Sequence, residues 1–138
     1  TVLLDPTGLD PAVAEARKRA AFAAADLALA ASGTVSLELA AARTPMVIAY
    51  RFQWLTWQIM KRMALIDTVT LVNLVSETRV VPECLGPDCT PSRIAGALAD
   101  VRANPEAQQE AMGLSMERLG EGGEAPGLRA ARAVLARL

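Results

Sequence analysis

A Ser-Gly-Thr turn followed closely by an acidic residue forms the part of this sequence best suited to chemistry. The turn, Ser32–Thr34, follows an apolar run and precedes an apolar-periodic segment that carries Glu38, a pattern that predicts strand, tight loop and helix. Gly33 would let backbone approach a ligand, and Thr34 would cap the helix. A helix start of this kind suits a phosphate, and Glu38, about one turn further in, suits sugar hydroxyls. The alternative is an ordinary turn whose small residues only cap a helix.

The composition excludes several classes of function. The 138 residues make room for one domain with a real core, and 52% of them are apolar but only 4% aromatic, which favours closely packed helices. A net charge of −1 does not indicate an electrostatic nucleic-acid binder. Because histidine is absent, Ser/His and Cys/His catalytic pairs and histidine-bound metals are excluded.

Cys84 and Cys89 are the two cysteines of the chain, too few for a four-sulfur zinc site. We interpret them as reduced thiols without a role, the alternative being a disulfide or a metal site. No D-x-D-like motif indicates a metal, no stretch resembles a signal peptide, and no charge-free apolar run could span a bilayer. The chain opens without an initiator methionine, which suggests part of a longer protein.

The predicted elements begin in the order β-α-β-α-β. Strands are expected at residues 1–4, 26–31 and 46–50, with helices at about 10–25 and from the Ser-Gly-Thr turn to about 42. Such spacing is typical of a Rossmann-like, doubly wound α/β sheet with parallel strands and flanking helices. Later helices are predicted at about 90–103 and 104–119 and, after a glycine-rich break at 120–127, at 128–138.

Polar residues follow several predicted strands. A further β-branched strand is expected at 68–72, with Asn73 at its carboxyl end. Ligands of open α/β sheets bind outside the carboxyl ends of the strands. The candidate positions are therefore Ser32–Thr34, Tyr50, Arg51 and Asn73.

Residues 51–65 form a segment of a different kind. It contains both tryptophans, Trp54 and Trp57, is apolar on more than one face, and carries Lys61 and Arg62 near its end. Core packing is one interpretation. The other is a helix that exposes tryptophan and leucine to a membrane interface or an acyl chain, with basic residues at the level of the headgroups.

Taken together, these residues resemble the lipid-A-disaccharide synthase family of glycosyltransferases. The order and spacing agree from Ser32 to Asn73, and the resemblance covers most of the chain. The residues that carry it are Ala31-Ser32-Gly33-Thr34 through Glu38, Thr44-Pro45-Met46-Val47, Tyr50-Arg51, Lys61-Arg62, Asn73-Leu74 and Val80-Val81-Pro82-Glu83. The chain departs from the family at Val72, where proline is frequent, at Glu77-Thr78-Arg79, where Gly-Arg-Glu is frequent, and at Gly86, where glutamine is common.

The resemblance implies one half of a GT-B type enzyme with two Rossmann-like domains facing a cleft. Residues 1–103 would be the UDP-sugar-binding domain and residues 104–138 a helical extension. The family joins UDP-2,3-diacylglucosamine to 2,3-diacylglucosamine 1-phosphate, with inversion at the anomeric carbon and release of UDP. The acceptor site and the base belong to the other half, so this chain alone would be inactive. The resemblance implies no cofactor and no metal.

The resemblance also assigns roles to residues. The turn formed by Ser32, Gly33 and Thr34 would cradle the diphosphate, and Glu38 would hold the ribose hydroxyls. Asn73 would bind or orient the donor. Tyr50 and Arg51 would lie beside it, Arg51 either as a counter-charge to the diphosphate or as the partner of a structural carboxylate. Arg79 is a candidate to take over a cationic role from a neighbouring position, and Glu83 is expected to be structural.

Location and partners follow from the same resemblance. The enzyme would be cytoplasmic and peripheral on the inner face of the inner membrane, with residues 51–65 as the contact. A homodimer that exchanges its carboxyl-terminal segments would fit the glycine-rich hinge before residues 128–138. The alternatives are another UDP-sugar glycosyltransferase of the same fold and a non-catalytic nucleotide-binding module.

Overall fold

Short parallel strands and longer helices alternate along the chain. The computed structural model describes residues 1–31, 33–52 and 67–137. The elements, in chain order, are α1 (Pro11–Ala23), β1 (Ala28–Ala30), α2 (Val35–Ala41), β2 (Met46–Tyr50), α3 (Leu71–Ser76), β3 (Glu83–Leu85), a short 3-10 helix (Gly86–Asp88), α4 (Pro91–Ala103), α5 (Glu106–Leu119) and α6 (Pro126–Leu135).

The described sheet has three parallel strands in the order β1-β2-β3. Ala30, Ile48 and Glu83 lie level with one another across the sheet. The central strand β2 begins with three residues, Met46 to Ile48, that are completely buried, as a strand covered on both faces requires. A parallel sheet flanked by helices confirms the predicted α/β, Rossmann-like class.

Two predicted strands near the amino terminus need correction. Residues 1–4 form no strand and are exposed, since none of the described strands lies beside them to complete a hydrogen-bonded ladder. The strand predicted at 26–31 is shorter, Ala28–Ala30, and is an edge strand within the described sheet. Its Leu29 side chain is 55% exposed, so β1 is not apolar and covered on both faces as predicted.

The strand predicted at 68–72 is also wrong, because helix α3 begins at Leu71. The backbone amides of Val69 and Thr70 donate to the Glu83 carboxylate, at 3.0 and 2.8 Å. A side chain thus takes the donors that a strand would give to its ladder. This tertiary contact overrides the β propensity of the Thr-Val-Thr sequence.

The later helices confirm their predicted starts closely. Thr90 caps α4 by accepting a hydrogen bond from the Arg93 amide, with Pro91 in the first turn. Helix α5 ends at Gly120, whose φ of 87° lies in the left-handed region that glycine adopts without strain. Helix α6 starts two residues before the predicted 128, and its described side chains are exposed.

The core has one part on each face of the sheet. On one face, α2, α3 and α5 pack around Leu39, Ile48, Val72 and Met112. On the other face, α4 packs on β2 and β3 through a cluster of Val47, Cys84 and Val101. Each part joins residues far apart in sequence, so burial of these apolar side chains stabilises the sheet and the helices as one unit.

Gln108 fastens α5 to the beginning of β2. Its side chain is 2% exposed, its Oε1 accepts from the Met46 amide at 2.9 Å, and its Nε2 donates to the Met46 carbonyl at 3.0 Å. One buried amide thereby satisfies both backbone groups of a buried residue. Helix α5 therefore shares its core with the sheet, although it lies beyond residue 103.

Replacement of Gln108 by alanine is expected to lower the free energy of unfolding by about 3 kcal/mol, because it leaves a buried N–H and a buried C=O without partners. Gln109→Ala, on the exposed side of the same helix, is the matched control and is expected to change stability by less than about 0.5 kcal/mol. Urea unfolding measures both. Equal losses of unfolding free energy in the two variants would show that the hydrogen bonds between Gln108 and Met46 stabilise the fold no more than an exposed side chain does.

Candidate ligand-binding site

The loops that leave the carboxyl ends of the strands lie on one edge of the sheet, here called the carboxyl edge. The register places the ends of β1 and β2 there, so Gly33, Thr34, Tyr50 and Arg51 follow on the same edge. Tyr50 is 41% exposed and its ring packs edge-on against Phe52 at 4.6 Å between centroids. Parallel α/β sheets bind ligands at this edge.

The backbone at Gly33 adopts a conformation that favours glycine. Its φ is +122°, which favours glycine, and a Cβ built there would have no atom of the described residues within 4 Å. The Ser36 hydroxyl donates to the Gly33 carbonyl at 2.9 Å, and the amides of Ser36, Leu37 and Glu38 donate back to the carbonyls of residues 33 and 34. The loop is closed by its own backbone and by Ser36.

The predicted cap by Thr34 is wrong. Thr34 has a helical backbone, with φ −63° and ψ −23°, and its side chain makes no capping hydrogen bond. Side-chain caps come from residues with an extended backbone, so the Ser36 hydroxyl holds this loop instead. Ser32, the remaining residue of the predicted turn, lies outside the described residues.

Glu38 contacts the first helix. Its Oε2 is buried and lies 2.6 Å from Lys18 Nζ, which also lies 2.9 Å from a carboxylate oxygen of Glu15. The close carboxylate of Glu38, followed by that of Glu15, raises the pKa of Lys18. In the sequence, Lys18 is one of several charges on a solvent-facing helix, and no spacing rule connects it with Glu38.

Asn73 lies in helix α3 rather than at a strand end, and its side chain contacts the connection between α3 and β3. It is 1% exposed; its Nδ2 donates to the Val81 carbonyl at 2.9 Å and its Oδ1 accepts from the Val81 amide at 3.0 Å. The predicted strand-end position is therefore wrong, because residue 73 belongs to a helix, and both halves of its amide pair with backbone groups of Val81. The role of Asn73 toward a donor remains a prediction.

The two arginines differ in their partners. Arg79 forms an ion pair with Asp67, with Nε 3.1 Å from Oδ2, and this hydrogen bonding lowers the pKa of Asp67. Its Nη1 also donates to the Asn73 carbonyl at 3.4 Å. Arg51 is exposed and forms no ion pair with any residue in the described ranges. Among the described residues, Arg79 is therefore the one of the two with a carboxylate partner.

Glu83 confirms its expected structural role. Its Oε1 accepts from the hydroxyls of Thr68 and Thr70, at 2.6 and 2.5 Å, in addition to the amides of Val69 and Thr70. One carboxylate oxygen thus holds residues 68–70 against the start of β3. Sequence reasoning treated 68–70 as strand and missed this cluster, since its two parts are 13 residues or more apart.

Membrane and metal features are limited in the described part of the chain. None of its helices combines the length and hydropathy that crossing a bilayer needs. Among residues 1–31, 33–52 and 67–137, no three His, Cys, Asp or Glu side chains gather as a metal site. Cys84 and Cys89 are free thiols, and burial raises the pKa of Cys84. Most of the tryptophan-containing segment at 51–65 lies outside the described residues.

A parallel sheet flanked by helices, with a glycine loop at its carboxyl edge, defines the class as a Rossmann-like α/β domain. A family model described as lipid-A-disaccharide synthetase matches residues 6–134. The chain belongs to the lipid-A-disaccharide synthetase family.

Relatives of this family match almost the whole chain. The lipid-A-disaccharide synthase of Ruegeria pomeroyi is 75% identical over 137 residues, which are 99% of this chain and 34% of that protein. Those of Rhodospirillum centenum and Paramagnetospirillum magneticum are each 46% identical, over 88% and 83% of this chain and 31% of each protein. The chain spans about a third of the length of the curated relatives it matches.

Truncation of Glu83 tests the cluster at residues 68–70. Glu83→Ala is expected to lower the free energy of unfolding by about 2–3 kcal/mol, because two amides and two hydroxyls lose their acceptor, and Glu83→Gln by about 1 kcal/mol, since one carbonyl oxygen remains. Glu110→Ala, an exposed change on α5, is the control. Urea unfolding that ranks all three alike would contradict the assignment.

Proposed function

We propose that this chain is the donor-binding part of a lipid-A-disaccharide synthase. The enzyme joins UDP-2,3-diacylglucosamine to 2,3-diacylglucosamine 1-phosphate and releases UDP. The observation that carries the proposal is the Gly33 loop at the carboxyl end of β1, where a Cβ would meet no described residue within 4 Å. This loop lies within the part of the chain that the family model matches.

The diphosphate is bound at the Ser32–Thr34 turn. Gly33 has no side chain to keep a phosphate away from the main chain, and no described residue lies within 4 Å of the position that its Cβ would take. Arg51 follows β2 on the same edge of the sheet and supplies positive charge. Together, backbone and guanidinium stabilise the charge that develops on UDP as it leaves.

The ribose is held by Glu38. Lys18 lies 2.6 Å from Oε2 of this carboxylate, while no residue in the described ranges forms an ion pair or hydrogen bond with Oε1. Oε1 is therefore the oxygen that accepts from the ribose hydroxyls. Asn73 acts on the donor indirectly, since its amide fixes the connection between α3 and β3.

The reaction is an inverting transfer. The acceptor 6-hydroxyl attacks the anomeric carbon, its proton passes to a base, and the bond to UDP breaks. The base belongs to the part of the enzyme that lies outside this chain, which spans about a third of the length of its relatives. This chain supplies donor binding and leaving-group stabilisation.

Domain division, location and assembly complete the proposal. Residues 1–103 bind the UDP-sugar and residues 104–138 form the extension. The two parts differ in role but pack together, because α5 shares the core with the sheet. Residues 51–65 place the enzyme on the cytoplasmic face of the inner membrane. The exposed α6, which follows a glycine-rich stretch, is exchanged with a second copy in a homodimer.

Calorimetric titration with UDP tests the donor site. The wild-type chain is expected to bind UDP saturably, and Glu38→Gln to weaken binding about five- to tenfold, the usual effect of losing one or two hydrogen bonds to a charged group. Glu110→Gln, an exposed change on α5, is the matched control and should leave affinity unchanged. Absence of UDP binding, or equal binding by both variants, would contradict the proposal.

A further inference from the structure

The ammonium group of Lys18 is held between two carboxylates. Glu15 lies one turn earlier on helix α1, and one of its carboxylate oxygens is 2.9 Å from Lys18 Nζ. Oε2 of Glu38, on helix α2, is 2.6 Å from the same Nζ. The other Glu15 oxygen pairs with Arg19 Nε at 3.2 Å. Glu15 is thus shared, and Lys18 is positioned by its own helix to reach Glu38.

This ion pair joins one oxygen of the Glu38 carboxylate to helix α1. Helix α1 has no fully buried side chain, so apolar packing constrains the α1–α2 contact only weakly. Glu38 also borders a groove of about 560 Å³, lined mainly by apolar side chains that include Leu37, Ala41 and Met116. A carboxylate not held by Lys18 has room to rotate along this groove.

We propose that Lys18 is a positioning residue for recognition of the nucleotide ribose. It holds Glu38 Oε2 and leaves Oε1 directed to the ribose hydroxyls. The inference rests on the proposed function, since it assigns Glu38 to the ribose. Lys18 itself does not contact the nucleotide in this arrangement.

The charge of Lys18 matters as well as its contact with Glu38. A free carboxylate beside a nucleoside diphosphate would repel its phosphates, and a cation in direct contact offsets that repulsion. Lys18 therefore lets Glu38 accept hydrogen bonds from the ribose with less repulsion of the phosphates. A purely structural Lys18, which only joined α1 to α2, would not discriminate between nucleotides with and without ribose hydroxyls.

The test compares affinities for UDP and 2′,3′-dideoxy-UDP by calorimetry. Lys18→Met is expected to reduce the preference for UDP about two- to fivefold, the range of a half-exposed ion pair, and Lys18→Arg to restore it. Arg17→Met removes an exposed arginine from the same helix and should leave the preference unchanged. Thermal unfolding verifies that each variant is folded, and Lys18→Gln replaces Lys18→Met if the latter is not.

Two sets of outcomes keep the inference separate from the proposed function. In the first set, the wild type prefers UDP and Glu38→Gln abolishes that preference, so the donor site stands. If Lys18→Met then keeps the preference, or loses affinity for both nucleotides equally, the role of Lys18 is refuted. If the wild type binds neither nucleotide, or Glu38→Gln keeps the full preference, the proposed donor site fails and the inference fails with it.

Discussion

The hydrogen bonds to one oxygen of Glu83 are the constraint on which the carboxyl edge depends. Two amides and two hydroxyls of residues 68–70 donate to it, so the chain that enters α3 is tied to the first residue of β3. Glu83 is level with Ile48 in the central strand. The contact therefore sets the position of the α3 entrance relative to the ends of β1 and β2, from which the loops at Gly33 and Arg51 leave.

Two amide side chains extend this arrangement through the core. Asn73 satisfies the backbone of Val81 just before β3, and Gln108 satisfies that of Met46 at the start of β2. Burial of a backbone group that has such a partner costs little free energy. Without the partner, burial would cost the large desolvation free energy of that group. The loops at Gly33 and at Tyr50 and Arg51 leave this sheet at its carboxyl edge, where the proposed function places UDP.

The sequence predicts the fold class and the helices better than the individual strands. Pro11, Pro91 and Gly120 are local signals that act within one turn, and the helices near them begin or end as expected. The strand predicted at 68–72 fails because Glu83, distant in sequence, takes its backbone donors. Glu38 and Asn73 were recognisable as candidates, but their contacts with Lys18 and Val81 depend on helix packing and crossover geometry, which no local pattern encodes.

The central claim is that UDP binds at the carboxyl edge of the sheet, and backbone amide chemical shifts measured by NMR during UDP titration test it most directly. The account predicts that shifts concentrate at Gly33, Thr34 and Arg51, while amides at the opposite edge, such as Arg43 and Asn104, stay unchanged. Shifts centred on Arg43 and Asn104, or none at saturating UDP, would contradict it.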